Sequence, residues 1–239
     1  MQNIPTNRRA ELVIWHLTDS ALPTGGFAHS AGLETYIAEN EVHDAATFTH
    51  WLEGYLHQAS FNEALALRLA LELYNSDEPV DAKLDHLAEL DALVHACQTP
   101  LEVRNSMNSM GKRWSRVAAI VADDDPLVLA YRDKLNAREL AGNPGIAAGL
   151  VLAATGLPAE EAVRAYLMQM ANSMTQNAIR AIPLGQDAGQ RVLVDSYHVV
   201  EEAAARTMLN TIADLGVVAP RLEVAQMAHE SLRSRMFMS

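Results

Sequence analysis

The sequence predicts an all-α protein, a single-domain helical bundle of about eight to ten helices. Three observations support this prediction. Apolar residues recur at helical spacing along almost the whole chain, and prolines or acidic residues stand where several of these patterns begin. No alternating pattern or hairpin turn signal indicates a strand. The connections are short and polar, which favours neighbouring helices that pack antiparallel, and we expect one domain over residues 1–239.

The first half of the chain contains two clear amphipathic patterns. One stripe consists of Phe48, Trp51, Leu52, Tyr55 and Leu56. Asp44 precedes this stripe, where a carboxylate can cap the free backbone amides of a helix start. A second stripe consists of Leu84, Leu87, Leu90, Val94 and Cys97. Residues 75–82 (NSDEPVDA) are predicted to form a surface loop before it.

Prolines mark the starts of the next two helices. Residues 99–102 (TPLE) combine a capping box with proline at the first helical position. This pattern predicts a helix from Pro100 to about Val121. Asp125 followed by Pro126 predicts another start of the same kind.

The second half of the chain predicts three further helices. Gly156 and Pro158 indicate a stop and a restart, and a long helix is predicted to run from there to Ile182, where Pro183 ends it. Two acidic residues in its first turn complement the positive end of the helix dipole. The last two patterns carry Leu193, Val200, Met208 and Ile212 up to Gly216, and, after Pro220, Leu222, Met227 and Leu232.

Charge and composition indicate which kinds of partner the chain can bind and in which cellular compartment it is expected. The formal net charge of −12 is expected to repel nucleic acid and anionic membranes, so a cationic partner surface or a cation fits better. The single cysteine, Cys97, forms no intramolecular disulfide, which is typical of the reducing cytoplasm. The N-terminal residues lack the apolar core of a secretory signal. The weakly polar run Gly145–Leu157 is too short to cross a bilayer.

The Gly-rich segment of residues 18–34, TDSALPTGGFAHSAGLE, does not fit the templates for nucleotide binding or nucleophilic catalysis. It lacks GxxxxGK[ST], and residues 10–82 contain no lysine, so it is not a phosphate-binding P-loop. It also lacks the GxSxG turn. Ser20 and Ser30 are therefore poor candidates for an activated nucleophile and are more typical of helix caps.

Histidine spacing does not fit a metal site either. Three histidines recur every seven residues, at His43, His50 and His57. Neighbours on a helix would then stand about 10.5 Å apart, too far for one ion with ligand bonds of about 2 Å. His229-Glu230 opens like HExxH, but Arg233 occupies the position of the second histidine. We therefore expect no catalytic residue, no metal site and no cofactor, and the chain is predicted not to be an enzyme.

Four segments resemble, in the right order, the urease accessory protein UreF family. DSALPTGGFAHSAGLE (residues 19–34) closely resembles the N-terminal motif of that family. The other three are SMNSMGKR (106–113), AIRAIPLGQDAGQ (178–190) and APRLEVAQMAHESLRSRMFMS (219–239). The resemblance spans nearly the full chain, and its Pro-Gly motif and its IPLGQ segment are unusual within helical proteins.

The resemblance implies an all-helical, non-catalytic scaffold for nickel insertion into urease. Members of the family form homodimers, bind the accessory protein called UreD or UreH, and recruit the GTPase UreG. GTP hydrolysis then accompanies the transfer of nickel to the urease apoenzyme. Residues 220–239 resemble the C-terminal segment that binds the UreD/UreH partner. A cytoplasmic location is expected from the single cysteine and the lack of a secretory signal.

The resemblance also assigns roles to individual residues. The implied partner-binding residues are Glu34, Tyr36, Arg180, Gln186, Gln190, Arg235 and Phe237. The implied structural positions are Pro23, Gly25, Gly26 and Gly185. Gly25 and Gly26 are expected to adopt backbone angles that other residues resist, in a turn between two N-terminal helices. For Gly185, a helix stop and a direct partner contact both remain open.

Further alternatives remain at this stage. The apolar residues 236–238 (MFM) are expected either to be exposed for a partner to bury or to dock on the chain's own core. A helical metal-dependent enzyme, built from scattered histidines and carboxylates, is the second hypothesis for function. The family also suggests a GTPase-activating role through an arginine supplied in trans, which the sequence neither supports nor excludes.

Overall fold

The structure is a computed structural model that describes residues 6–19 and 22–239, with the backbone alone for residues 6–8. Within these residues the chain forms twelve α-helices and no strand, so the all-α prediction is confirmed. The helices are α1 (Thr6–Leu17), α2 (Leu33–Ala38), α3 (Ala45–Ala59), α4 (Glu63–Asn75), α5 (Val80–Cys97), α6 (Leu101–Val121), α7 (Pro126–Asn136), α8 (Pro144–Ala154), α9 (Ala159–Ala181), α10 (Gln186–Asp195), α11 (Tyr197–Leu209) and α12 (Pro220–Ala228). Three short 3-10 turns are Gly26–Ala28, Ile212–Asp214 and His229–Ser231.

The described residues contain twelve α-helices, more than the predicted eight to ten, and part of the difference arises because one predicted helix is divided. Ser196 separates α10 from α11, and its hydroxyl donates to the carbonyl of Leu193 (2.8 Å). The pattern also ends at Leu209 instead of reaching Gly216. Asn210 there is extended, and its side-chain amide donates to the carbonyl of Ser60 (2.8 Å), a contact between distant parts of the chain.

Two predicted helix caps are confirmed and one is wrong. The Asp44 carboxylate accepts from the amide of Thr47 (2.9 Å), and Asp125 accepts from the amides of the first turn of α7. The capping box at Thr99 does not form, because the Thr99 hydroxyl donates instead to the carboxylate of Glu223 on α12. The boundaries of α6 and α9 nevertheless agree with the prediction.

The last predicted helix is also shorter than its apolar pattern. It ends at Ala228, and the chain continues through the 3-10 turn His229–Ser231 into an irregular tail. The His229 ring is held between side chains of two other helices, which fixes the chain direction at this point. Residues 229–239 are called the tail below.

Helix α8 lies at the centre of the core, where its residues from Pro144 to Ala153 are all buried. It packs against α4 and α6. A Cβ atom added at Gly149 would stand 2.4 Å from the carbonyl oxygen of Leu67, and one at Gly145 would stand 2.2 Å from that of Glu63. The glycines therefore permit a close approach of α4 and α8.

In the described part of the chain, no helix combines the length and the apolar character that crossing a membrane would require.

Candidate functional site

Residues 22–32 of the Gly-rich segment form a turn that precedes α2. Gly25 has a φ of +93°, in the left-handed region, so its predicted conformational role is confirmed. The prediction of an unusual backbone angle is wrong for Gly26, which begins a 3-10 turn and lies outside the left-handed region. A Cβ atom added at Gly26 would meet Ser173 Oγ at an ordinary distance of 3.5 Å. Ala31 and Gly32 adopt left-handed angles instead. Ser20, within the same segment, lies outside the described residues.

The tail runs alongside this turn and is joined to it through the backbone. The amide of Met238 donates to the carbonyl of Ala28 (2.7 Å), and the amide and hydroxyl of Ser30 both donate to the backbone oxygen of Ser239 (2.5 and 2.8 Å). The Ser239 hydroxyl also lies 2.9 Å from Nδ1 of His29. Because Ser239 is buried, this serine–histidine pair fastens the tail and does not present a nucleophile to solvent.

A buried histidine lies at the start of the tail, between two carboxylates. His229 is fully buried; its Nδ1 is 2.6 Å from a Glu102 oxygen on α6, and its Nε2 is 3.0 Å from a Glu34 oxygen on α2. Arg235 donates to the other oxygen of Glu102 (2.6 Å). A carboxylate thus faces each ring nitrogen, and both contacts are hydrogen bonds when the imidazole carries both protons.

Glu34 also caps the tail backbone. Its carboxylate accepts from the amides of Met236 (2.5 Å) and Phe237 (3.0 Å), in addition to the His229 contact. The side chain is mostly buried. Glu34 therefore lies at the joint between α2 and the tail, and in this structure its oxygens are already occupied by the chain's own donors.

Helix α9 supports the same joint from another side. Asn177 donates to the carbonyl of His29 (2.8 Å), and Arg180 donates to the carbonyl of Phe27 (2.9 Å). The Arg180 guanidinium also lies over the Phe237 ring, 5.1 Å from its centroid. The turn, Glu34 of α2, Glu102 of α6, the end of α9 and the tail are thus connected, and together they are called the tail site below.

Two titratable groups of the tail site, Glu102 and His29, have shifted pKa values. Burial raises the pKa of the Glu102 carboxyl, but hydrogen bonds from His229 and Arg235 outweigh burial, so the net pKa lies below its ordinary value. Burial lowers the pKa of His29, and the nearby charge of His229 lowers it further. These directions favour an ionised Glu102 and a neutral His29 in the docked tail.

A cavity of about 60 Å³ lies beneath the turn and next to Ser239. Its lining includes His29, Tyr55, Glu63 and Tyr166. Burial raises the pKa of Glu63 to about 7, so near neutral pH a substantial part of this carboxyl is protonated. Within the described residues, no group of three or more His, Cys, Asp or Glu side chains is arranged to hold a metal ion.

The structure brings together four of the implied partner-binding residues. Glu34, Arg180, Arg235 and Phe237 all belong to the tail site. Residues 236–238 were expected either to dock on the chain or to be exposed. Phe237 is docked, since only 4% of its surface is exposed, whereas Met236 and Met238 are exposed.

The remaining implied residues lie elsewhere. Tyr36 packs on Trp51 and lies under the guanidinium of Arg221, which pairs with Glu39 and Glu41. Gln186 and Gln190 are exposed on α10, and Pro23 is exposed in the turn. Gly185 precedes α10 with ordinary backbone angles and open space around it, so its position requires no glycine on steric grounds.

Several residues of the tail site were missed in the sequence. His229 was considered only as part of a failed HExxH pattern, and Glu102 only as part of a capping box. Asn177 and Ser239 carried no signal of their own. Their partners are more than a hundred residues away in the chain, so no local spacing could have indicated these contacts.

Known proteins match the chain over almost its whole length. The UreF family model matches residues 42–197. Urease accessory protein UreF of Arthrobacter sp. (strain FB24) is 41% identical over 230 residues, which cover 96% of this chain and 97% of that protein. The protein of the same description from Paenarthrobacter aurescens (strain TC1) is 42% identical over 230 residues, with 96% and 98% covered. That from Bacillus sp. (strain TB-90) is 35% identical over 229 residues, with 95% and 98% covered. On the strength of this agreement, the chain belongs to the UreF family of urease accessory proteins.

Proposed function

We propose that this chain is a non-catalytic scaffold of urease maturation. Together with a UreD/UreH accessory protein it recruits the GTPase UreG, and the assembly delivers nickel, as cargo, to the urease apoenzyme. The chain acts in the cytoplasm as a homodimer. Membership of the UreF family supports this proposal.

The observation that carries the proposal is the way the C-terminal segment, residues 220–239, presents apolar side chains. Val224, Met227, Met236 and Met238 are exposed on it, and Met238 exposes 68% of its surface. Glu34 and Ser30 fasten the backbone of the same segment to the body of the chain. A partner that buries these side chains would lose little free energy in ordering the segment, because the segment is already ordered.

The contacts with the other partners are assigned to a polar surface, in contrast to the apolar C-terminal segment. Arg180, Gln186 and Gln190 are exposed on α9 and α10, and we propose that they contact UreG or lie across the dimer seam. Arginine suits such a contact because it combines a large apolar stem with a directional charged end. Tyr36 and Arg235 are proposed as further contacts of the same assembly.

A binding experiment tests the role of the C-terminal segment. The variant Met236→Ser/Met238→Ser should lose most of its capture of purified UreD/UreH protein in size-exclusion chromatography, because two apolar anchors are removed. The matched control is Ile120→Ser, which removes one exposed apolar side chain on α6. Circular dichroism should show the same helical content for all three proteins. Equal capture by wild type and the double variant would contradict the proposal.

A deletion experiment tests the function in a urease-positive host. Without the gene for this chain, the urease protein should persist while its nickel content and its activity collapse. Unchanged nickel content in urease would refute the scaffold role. Metal analysis of the purified chain addresses the alternative of a metal-dependent enzyme: tightly bound stoichiometric metal would favour that alternative.

A further inference from the structure

A second surface feature lies outside the tail site and shares no residue with it. A groove with a volume of about 820 Å³ runs between α4, α5 and the segment that follows α11. This volume is within the range of about 300 to 1,000 Å³ that is typical of binding pockets. The groove is called the α5 groove below.

The lining of the α5 groove includes apolar side chains that are open to solvent. Leu93 on α5, Leu209 at the end of α11 and Ile212 in the following 3-10 turn all line it, and all three are exposed. Leu209 exposes 78% of its surface. Exposed apolar side chains that cluster around a depression are typical of a surface that another molecule covers.

The rim of the α5 groove is acidic. Glu72, Glu78 and Glu89 line it, and each carboxylate is substantially exposed. The groove also contains Arg68, but its guanidinium is mostly buried, pairs with Glu72 and donates to the carbonyl of Asn210 (2.6 Å). The positive charge of Arg68 is therefore directed into the protein, and the solvent-exposed side of the rim has a net negative charge.

His86 does not make the net charge of the rim positive. Its ring lies between two of the rim carboxylates, with Nε2 3.6 Å from Glu78 and Nδ1 3.7 Å from Glu89. Even when His86 carries a positive charge, the three carboxylates outnumber the two cations Arg68 and His86. The potential over the groove therefore favours a positively charged ligand.

We propose that the α5 groove binds an amphipathic helix of another protein, whose apolar stripe is flanked by lysine or arginine. The apolar stripe would cover Leu93, Leu209 and Ile212, and the basic residues would meet the acidic rim. A second copy placed groove to groove fits less well, because its acidic rim would face the acidic rim of the first copy. The proposal is independent of the tail site and of its partners.

The probe for the test is a fluorescein-labelled synthetic peptide of about 18 residues, which is five helical turns. It carries Leu at i, i+3, i+4 and i+7 spacing, Lys beside that stripe and Ala elsewhere. Two control peptides have the same composition with the order scrambled, or Glu in place of every Lys. Fluorescence anisotropy with the full chain should show that the first peptide binds at least about tenfold more tightly than either control.

Three variants of the chain locate the binding. Leu209→Ser/Ile212→Ser should weaken binding of the basic amphipathic peptide about tenfold, because it removes two apolar anchors. Glu89→Gln should weaken it about threefold at low salt, because it removes one exposed rim charge. Ile120→Ser removes an exposed apolar side chain on α6, outside the groove, and should leave binding unchanged.

Folding and self-association are measured in parallel. The substituted side chains are exposed, so the melting temperatures of the variants should match that of wild type; if the double variant unfolds, Glu89→Gln and the Glu peptide carry the test alone. Equal binding of the Lys and Glu peptides would overturn the proposal, as would unchanged binding to both groove variants. A dimer in sedimentation experiments that Leu209→Ser/Ile212→Ser dissociates would show that a second copy occupies the groove, and would also overturn it.

Discussion

The Nε2 atom of His229 lies 3.0 Å from a carboxylate oxygen of Glu34, although 195 positions separate the two residues in the chain. Through its Nδ1 atom the same ring meets Glu102, at 2.6 Å. One buried side chain thus joins α2, α6 and the tail. Removing the ring leaves each of the two largely buried carboxylates short of one donor, so we expect this joint to be sensitive to substitution.

The substitution His229→Ala should lower the free energy of unfolding by about 2 kcal/mol, because two carboxylates lose a donor and a cavity replaces the ring. Urea denaturation measures the loss. Hydrogen exchange should also accelerate at the amides of Met236 and Phe237. His50→Ala, which removes an exposed histidine on α3, should change stability by less than about 0.5 kcal/mol. A loss for His229→Ala no larger than that of the control would contradict the assigned role of the ring.

Glu63 should make stability depend on pH in an unusual direction for a carboxyl group. Its pKa is raised by burial from 4.5 to about 7, so the folded state binds the proton more tightly than the unfolded state does. Its contribution is fully present below pH 4.5 and is lost as the pH rises through about 7. The loss amounts to about 3 kcal/mol by pH 8.

The variant Glu63→Gln isolates this effect from the other titrating groups. The difference in unfolding free energy between variant and wild type should shift in favour of the variant as the pH rises from 5 to 8. Subtracting wild type removes the opposite contribution of His29, whose pKa is lowered by burial. Urea denaturation at a series of pH values measures the shift. A difference that stays constant with pH would show that Glu63 does not titrate in this range.

Two glycines offer a matched pair for the packing of α8. Gly149→Ala would place a Cβ atom 2.4 Å from the carbonyl oxygen of Leu67, so α4 and α8 must separate, and stability should fall by about 2 kcal/mol or more. Gly54→Ala is on the exposed side of α3 with open space around it, and should raise stability by about 0.5 kcal/mol. Thermal denaturation compares the two. If both substitutions change stability in the same direction, the close contact between α4 and α8 is refuted.

Arg180 links the tail site to the proposed assembly with UreG. The charge reversal Arg180→Glu should weaken recruitment of UreG by the complex with UreD/UreH about tenfold, with helical content retained. Arg206→Glu makes the same charge change at an exposed position of α11 and should have little effect. Pull-down with purified proteins measures recruitment. If both variants behave alike, net charge and not Arg180 determines the result.

Arg180 also holds Phe27 and Phe237, so the effect on the tail must be separated from the effect on UreG. Capture of UreD/UreH alone provides this separation. Normal capture of UreD/UreH together with weak recruitment of UreG would assign Arg180 to the GTPase contact. Loss of both would assign it to positioning of the tail.

The sequence predicted the helices well because the signals that form them are local. The carboxylate caps at Asp44 and Asp125 and the boundaries of α6 and α9 depend on residues within one or two turns. The errors occur where distant contacts decide the local structure. Asn210 ends α11 by binding Ser60, and Thr99 binds Glu223 in place of its own helix start.

The tail site could be predicted only in part. Resemblance pointed to Glu34, Arg180, Arg235 and Phe237, and the structure places all four around the tail. Resemblance did not indicate that Glu34 binds the chain's own backbone, nor that His229 lies between two carboxylates. Burial and pairing of this kind follow from the three-dimensional arrangement of α2, α6 and the tail, which periodicity along the chain does not encode.

The pairing of residues 28–30 with residues 238–239 has a consequence for biosynthesis. During translation the turn emerges early, whereas residues 238–239 emerge only after more than two hundred further residues. The donors and acceptors of the turn therefore stay hydrated until residues 238–239 have been synthesised, and a translation product that stops before them cannot complete the pairing. A partner that recognises the finished joint would in effect select molecules that contain residues 238–239.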